Sequence, residues 1–256
     1  MARAPGESTL LRLNRAIAMA GICSRRKADE LIQAGRVAVN GEIVAEPGRR
    51  IDPRSDRVMV NGDPIAVPLP DAGHAYYLLH KPIETVTTAS DPQGRTTVLD
   101  LLPQDIREKR PVPVGRLDYF SEGLLVLTTD GDLTHRMTHP SHHMDKVYEV
   151  KVRGDLGKRG LNVMRSGMRL KEGDKLAPVQ AEVLWAKGKS SLLRLVLGQG
   201  VNRQIRRMCR DLDLTVLKLK RVSQGPLSLG DLPPGKWRPL SKAEIRKLRR
   251  AVDLPA

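Results

Sequence analysis

The stretch Val114-Gly115-Arg116-Leu117-Asp118-Tyr119-Phe120-Ser121-Glu122-Gly123-Leu124-Leu125-Val126-Leu127-Thr128 decides how this chain is read. Residues 123–128 form a strongly apolar run of strand length. Asp118 stands between apolar neighbours just before that strand. A carboxylate so placed is either buried and paired or exposed for chemistry. By pattern alone, a turn or capping aspartate is the simpler account. Asp130-Gly131, beyond the strand, reads as a plain turn.

Further strand-like runs lie on both sides, at residues 76–79, 147–152, 181–184 and 191–196. Helical stretches are expected near residues 98–102, 131–138, 157–165 and 202–212. Strands and helices alternate without a regular βαβ rhythm. The expectation is an α+β domain over residues 75–250, built around a largely antiparallel mixed sheet with flanking helices. At its end Ser241-Lys242-Ala243-Glu244 is a capping box, with Leu240 and Ile245 as the staple.

The N-terminal part has a different texture. Leu10, Leu13, Ile17 and Ala20 keep a helical period that Gly21 ends. Ser24 can cap a second helix whose inner face is Ala28, Leu31 and Ile32, with Gly35 after its end. That helix places Arg25, Arg26 and Lys27 in its first turn, where cations oppose the helix dipole. Phosphate contact is the natural purpose of such a cluster, and a solvated charged turn is the plain alternative. Strand signals around Val37 and Val58 each run into Asn-Gly, at 40–41 and 61–62, a strong tight-turn signal. Pro64, Pro68, Pro70 and Gly73 punctuate a linker near residues 67–74.

The segment Asn202-Arg203-Gln204-Ile205-Arg206-Arg207-Met208-Cys209-Arg210 is the most informative by periodicity alone. At 100° per residue, Arg203, Arg206, Arg207 and Arg210 share one arc, while Val201, Ile205, Met208 and Leu212 lie opposite. Like charges so close repel unless anions or carboxylates compensate; the row is expected to face an anion, with one arginine free to pair with a buried carboxylate. A purely solvated face would more often mix in glutamates.

Composition narrows the function classes. The 256 residues include 44 Lys and Arg against 29 Asp and Glu, a formal charge of +15, which points to a polyanionic partner. Aromatics make up only 3%, so phosphate contacts and shape must carry most nucleic-acid binding. Cys23 and Cys209 provide neither a disulfide framework nor a structural zinc set. His135, His139, His142 and His143 lack the glutamate of a zinc hydrolase motif, so no metal is expected. Gly198-Gln199-Gly200 reads as a turn rather than a phosphate loop. No run of roughly 18 apolar residues and no apolar leader are present, so neither membrane insertion nor secretion is expected, and the chain reads as cytoplasmic. Without a coiled coil or exposed apolar repeat, the expectation is a monomer.

Residues 10–66 resemble the S4 RNA-binding domain, through Arg12-Leu13-Asn14, Ala20-Gly21-Ile22-Cys23-Ser24-Arg25-Arg26 and Gly35-Arg36-Val37-Ala38-Val39-Asn40-Gly41. Four ordered motifs then resemble the RsuA-like family of bacterial ribosomal RNA pseudouridine synthases: Leu79-His80-Lys81-Pro82, Gly115-Arg116-Leu117-Asp118, Lys146-Val147-Tyr148 and Asn202-Arg203-Gln204-Ile205-Arg206-Arg207-Met208. The C-terminal phrase, residues 225–235, extends the likeness over nearly the whole chain. The resemblance implies that Asp118 is the essential aspartate, that Tyr148 stacks on the target base and that Arg206 pairs with the aspartate. It implies that Arg116 helps hold the flipped nucleotide. Arg25, Arg26, Lys27, Arg36, Lys81, Asn202, Arg203, Arg207 and Arg210 are the expected RNA contacts. Ser121 stands where the family often has threonine, and His80 where asparagine or tyrosine is common.

The implied reaction breaks the N1–C1′ bond of uridine, rotates the uracil and rejoins it through C5, with no cofactor. A carboxylate can meet the electron demand at C1′ by adding to the sugar, by stabilising positive charge or by removing the C2′ proton. Tyr148 offers a flat face and a hydroxyl to the loose base, which must leave its stack to be reached. Residues 91–98 look more like members acting on large-subunit RNA. The small subunit is the alternative target, and a non-catalytic rRNA-binding or assembly protein is the alternative class. A glycosidase would need a second carboxylate, for which only Glu122 is near.

Overall fold

The structure, a computed structural model, describes residues 10–69, 73–139 and 144–255. The chain divides after Gly73 into two compact units.

The first unit contains β1 (Leu11–Arg12), α1 (Leu13–Met19), α2 (Arg25–Gln33), β2 (Val37–Val39), β3 (Glu42–Ile43), β4 (Arg50–Ile51), β5 (Val58–Val60) and β6 (Asp63–Ile65). An antiparallel sheet of order β3-β2-β5-β6 is built from two hairpins. Each turns on Asn-Gly with both residues at positive φ, 54° and 88° at Asn40-Gly41 and 56° and 90° at Asn61-Gly62. Those angles match the twist of the strands they join. Ser24 Oγ accepts from Lys27 N at 3.2 Å and starts α2. The first helix begins later than its period predicts: Leu11 and Arg12 pair with Ile51 and Arg50, leaving Leu10 outside and exposed. Strand pairing leaves Leu11 buried, 5% exposed.

The second unit contains β7 (Tyr76–Lys81), α3 (Gln104–Arg107), β8 (Val112–Pro113), β9 (Glu122–Thr128), α4 (Gly131–Thr138), β10 (Lys146–Arg153), α5 (Gly157–Ser166), β11 (Gln180–Lys187), β12 (Ser190–Leu197), α6 (Gln204–Asp211), β13 (Thr215–Gln224), β14 (Leu227–Ser228), β15 (Trp237–Pro239) and α7 (Lys242–Arg250). A mixed sheet runs β11-β12-β10-β13-β9-β7-β15, with β14 on β13 and β8 on β9. Its one parallel pairing is β9 with β13, through Glu122–Lys220 and Gly123–Arg221. Gly123 has φ 116°, and a Cβ there would lie 2.2 Å from the Arg221 carbonyl oxygen, so only glycine lets the two strands meet. The domain is α+β.

One expected element needs correcting, and one strand lies outside the expectations. Residues 98–102 are turns rather than helix: Val98 N bonds Val86 O, Asp100 N and Leu102 N close turns onto Thr97 and Leu99, and α3 begins only after Pro103. The ten-residue β13 was not anticipated. Its Lys-Leu-Lys-Arg pattern looks too charged for an internal strand, yet Leu219 and Arg221 are buried in the sheet centre.

Candidate active site

The loop between β8 and β9 carries Asp118, and other parts of the second unit hold it from three sides. Lys81, at the end of β7, is fully buried, and its Nζ donates to the carbonyls of Pro82 at 2.9 Å, Asp118 at 3.1 Å and Ser121 at 2.8 Å. Thr87 Oγ1 donates to Leu117 O at 2.8 Å. Arg206, in α6, donates from Nη2 to Phe120 O at 2.7 Å and to Ser121 Oγ at 3.3 Å. Its Nε lies 3.9 Å from Asp118 Oδ2. The carboxylate, 40% exposed, is thus held at a surface that solvent and substrate can reach.

Asp118 opens onto a cavity of about 720 Å³, large enough for a nucleoside, shared with Arg116, Tyr148, Asn202, Arg203 and Arg206. The floor is sheet. A bulge between Val147 and Tyr148 sets Tyr148 opposite Arg221 and Lys146 opposite Gln224, so all four side chains reach one face. Arg221 Nε donates to Leu124 O at 2.8 Å, while its Nη2, Gln224 Oε1 and both amide atoms of Gln204 are buried without a hydrogen-bond partner. These polar groups line the same cavity. Burial, and then repulsion by Arg221, push the Lys146 ammonium below the ordinary lysine range, although Asp145 opposes this. Burial raises the Cys209 thiol to about 12, so it remains protonated at neutral pH and cannot serve as a nucleophile.

The arginine row divides. Arg203 precedes α6 in the left-handed conformation, φ 49°, and is exposed at the cavity. Arg207 and Arg210, expected to face an anion, are engaged by carboxylates. Arg207 binds Glu172 at 2.8 Å and also pairs with Asp174, while Arg210 pairs with Glu172 at 2.6 Å and Asp211 at 2.8 Å. Glu172 and Asp174 come from beyond the helix, where a helical wheel could not supply them, and Asp211 is the last residue of α6 itself. Lys81, expected as an RNA contact, is 0% exposed. It binds backbone carbonyls in the interior and is not on an RNA-facing surface.

In the first unit Arg25, Arg26, Lys27 and Arg36 are exposed, and Lys27 pairs with Glu30 at 2.7 Å. His80 is buried, with Nδ1 2.6 Å from Leu232 O, and helps join β7 to the C-terminal segment. Asp130 is more than a turn residue. It caps α4 and accepts from Tyr76 Oη at 2.8 Å and Arg249 Nη1 at 2.5 Å. His135 and His139 have ring centroids 5.3 Å apart, and His142 and His143 lie outside the described residues. Among the described residues no three His, Cys, Asp or Glu gather as a metal site, and no helix is long and apolar enough to cross a membrane. Sequence reasoning assigned no role to Thr87, Arg221, Gln204 or Gln224, because a loop threonine and polar residues in the already polar α6 and β13 give no signal of their own.

Comparison with known proteins identifies both units. Residues 75–211 match the RNA pseudouridylate synthase family model, and residues 11–58 match the S4 domain model. The chain is 40% identical over 247 residues to ribosomal large subunit pseudouridine synthase B of Bacillus subtilis, covering 94% of this chain and 97% of that protein. It is 39% identical over 245 residues to an RNA pseudouridine synthase of Aquifex aeolicus, covering 95% and 96%. A crystal structure of a pseudouridylate synthase superposes with a TM-score of 0.67 at 28% identity, covering 93% of this chain and 99% of that one. This chain belongs to the RNA pseudouridylate synthase family and carries an S4 domain ahead of the synthase domain.

Proposed function

We propose that this enzyme isomerises a uridine of large-subunit ribosomal RNA to pseudouridine, with Asp118 as the reacting carboxylate. The observation that carries this reading is the convergence of Asp118, Tyr148 and Arg206 on one cavity, with Arg206 Nε 3.9 Å from the carboxylate. Asp118 meets the electron demand at C1′ as the glycosidic bond breaks. Tyr148 supports the freed uracil while it turns, and the Arg206 fork fixes both the carboxylate and the loop that bears it. Arg116, Asn202 and Arg203 surround the cavity as phosphate and sugar contacts, and Arg25, Arg26, Lys27 and Arg36 extend RNA binding onto the S4 unit. The large-subunit target rests on the 40% identity to the Bacillus subtilis protein of that name. The reading includes a cofactor-free monomer working in the cytoplasm.

Ribosomal RNA transcribed with uridine tritiated at C5 provides the test, because joining C5 to the sugar expels tritium into water. Wild type should release tritium from large-subunit transcript with no cofactor added, and Asp118→Asn should release none while binding RNA normally. Release from small-subunit transcript alone would overturn the target. Turnover by Asp118→Asn would overturn the assignment of the carboxylate.

A further inference from the structure

Phe120 is the only phenylalanine in the chain, and the residue is 62% exposed two residues from Asp118. Its main chain is anchored. Its carbonyl accepts from Arg206 Nη2 at 2.7 Å, and its ring packs edge-on against Tyr119 at 4.9 Å and 81°. Tyr119 is itself held, since its carbonyl accepts from Glu84 N at 2.7 Å. In the turn that carries Glu84, Ile83 is 50% exposed. A large apolar ring held in water adds little to the core and loses hydration entropy. With aromatics at only 3% of residues, few rings in this chain can meet a nucleobase, and this one stands at the reacting carboxylate.

We propose that Phe120 is a stacking wedge that packs against the face of a nucleobase adjacent to the extruded uridine. This inference rests on the reading of Asp118 as the reacting carboxylate on RNA. A uridine entering the cavity leaves its neighbours unstacked, and the bared base face is apolar. A pre-positioned ring beside the cavity covers that face with little loss of its own freedom. Every base has such a face, so the wedge stabilises the open strand without reading sequence. Tyr148 lies in the cavity and serves the target base, whereas Phe120 lies outside the cavity lining and serves its neighbour.

Two measurements on the full-length chain test this. In the tritium-release assay on large-subunit transcript, Phe120→Ala should lower kcat/KM about tenfold with an unchanged melting temperature, and Phe120→Trp should recover most of that loss. Independently of turnover, titrating the same transcript into Phe120→Trp should quench emission well beyond the change in wild type, whose indoles are Trp185 and Trp237. Wild-type kcat/KM for Phe120→Ala, or no quenching beyond wild type, would overturn the wedge. If wild type releases no tritium, the pseudouridylation reading falls, and the quenching experiment still decides whether the ring stacks on RNA.

Discussion

Lys81 Nζ lies 3.1 Å from the main-chain oxygen of Asp118, and the two residues are 37 apart in sequence. The ammonium shares its remaining hydrogens between Pro82 O and Ser121 O, so one buried cation fixes both ends of the reacting loop. Arg206 closes the loop from the solvent side. Lys81 acts on backbone alone, whereas Arg206 also reaches the Asp118 carboxylate, which stays 40% exposed.

Replacing Lys81 by methionine keeps the apolar stem and leaves three carbonyls without a donor. Stability should fall by about 3 kcal/mol, measured as a urea midpoint, given roughly 1–3 kcal/mol for each unsatisfied group and partial relaxation. Tritium release should fall at least tenfold with RNA affinity almost unchanged. Normal turnover in a folded Lys81→Met would show that the loop holds its shape without the ammonium.

Burial, aided by Arg221 and opposed by Asp118 and Glu122, holds Lys81 at about 8 against an ordinary 10.5. Above that pH the neutral amine has two N–H groups for three carbonyls, so turnover should decline along an alkaline limb near pH 8 that Lys81→Met lacks. Stability moves the other way. Between about 8 and 10.5 the unfolded chain holds more protons at this residue than the folded one, so this contribution to folding stability rises with pH there.

Arg206→Lys retains charge but loses the fork that reaches Asp118 and the Phe120 carbonyl together. A drop in kcat of about tenfold or more is expected, with the dissociation constant for RNA within about twofold. An equal loss in binding would mean that this arginine chiefly contacts RNA.

The Asp130 side chain is only 2% exposed, and Arg249 Nη1 meets it at 2.5 Å, docking α7 against α4 and β7. Arg249→Met should destabilise by about 3 kcal/mol, because it leaves a buried carboxylate without its cation. Tyr76→Phe, which removes the 2.8 Å hydrogen bond from the hydroxyl, should cost about 1 kcal/mol. Chemical denaturation of both variants and their double mutant would measure the coupling, and strict additivity would contradict a shared network.

Glu244 closes the capping box of α7 and binds both Nη groups of Arg238, which holds its carboxyl at about 2. The unfolded carboxyl titrates at the ordinary 4.5, so this stabilisation is complete above 4.5 and is lost as pH falls through about 2. Glu244→Gln should lower stability at neutral pH by about 1 kcal/mol and flatten the acid limb over that window. An unchanged acid limb would place the pH dependence elsewhere.

The amino-acid sequence by itself determined what short-range physics sets. Asn-Gly pairs specify the two hairpin turns because asparagine and glycine tolerate positive φ. Ser24 and Ser241 start helices because their hydroxyls meet the free amides within three residues. The apolar run of β9 identifies a strand, and Gly115-Arg116-Leu117-Asp118 singles out one aspartate through its family resemblance. Only the tertiary structure decided which charged groups are withdrawn from water and which partners meet them. Lys81 looks in sequence like an RNA contact, Arg207 like an uncompensated cation and Asp130 like a turn, until Asp118, Asp174 and Arg249 come up from 37, 33 and 119 residues away. Desolvation and pairing depend on that approach, because charge and periodicity within a window of ten residues carry no record of what the folded chain brings to its surface.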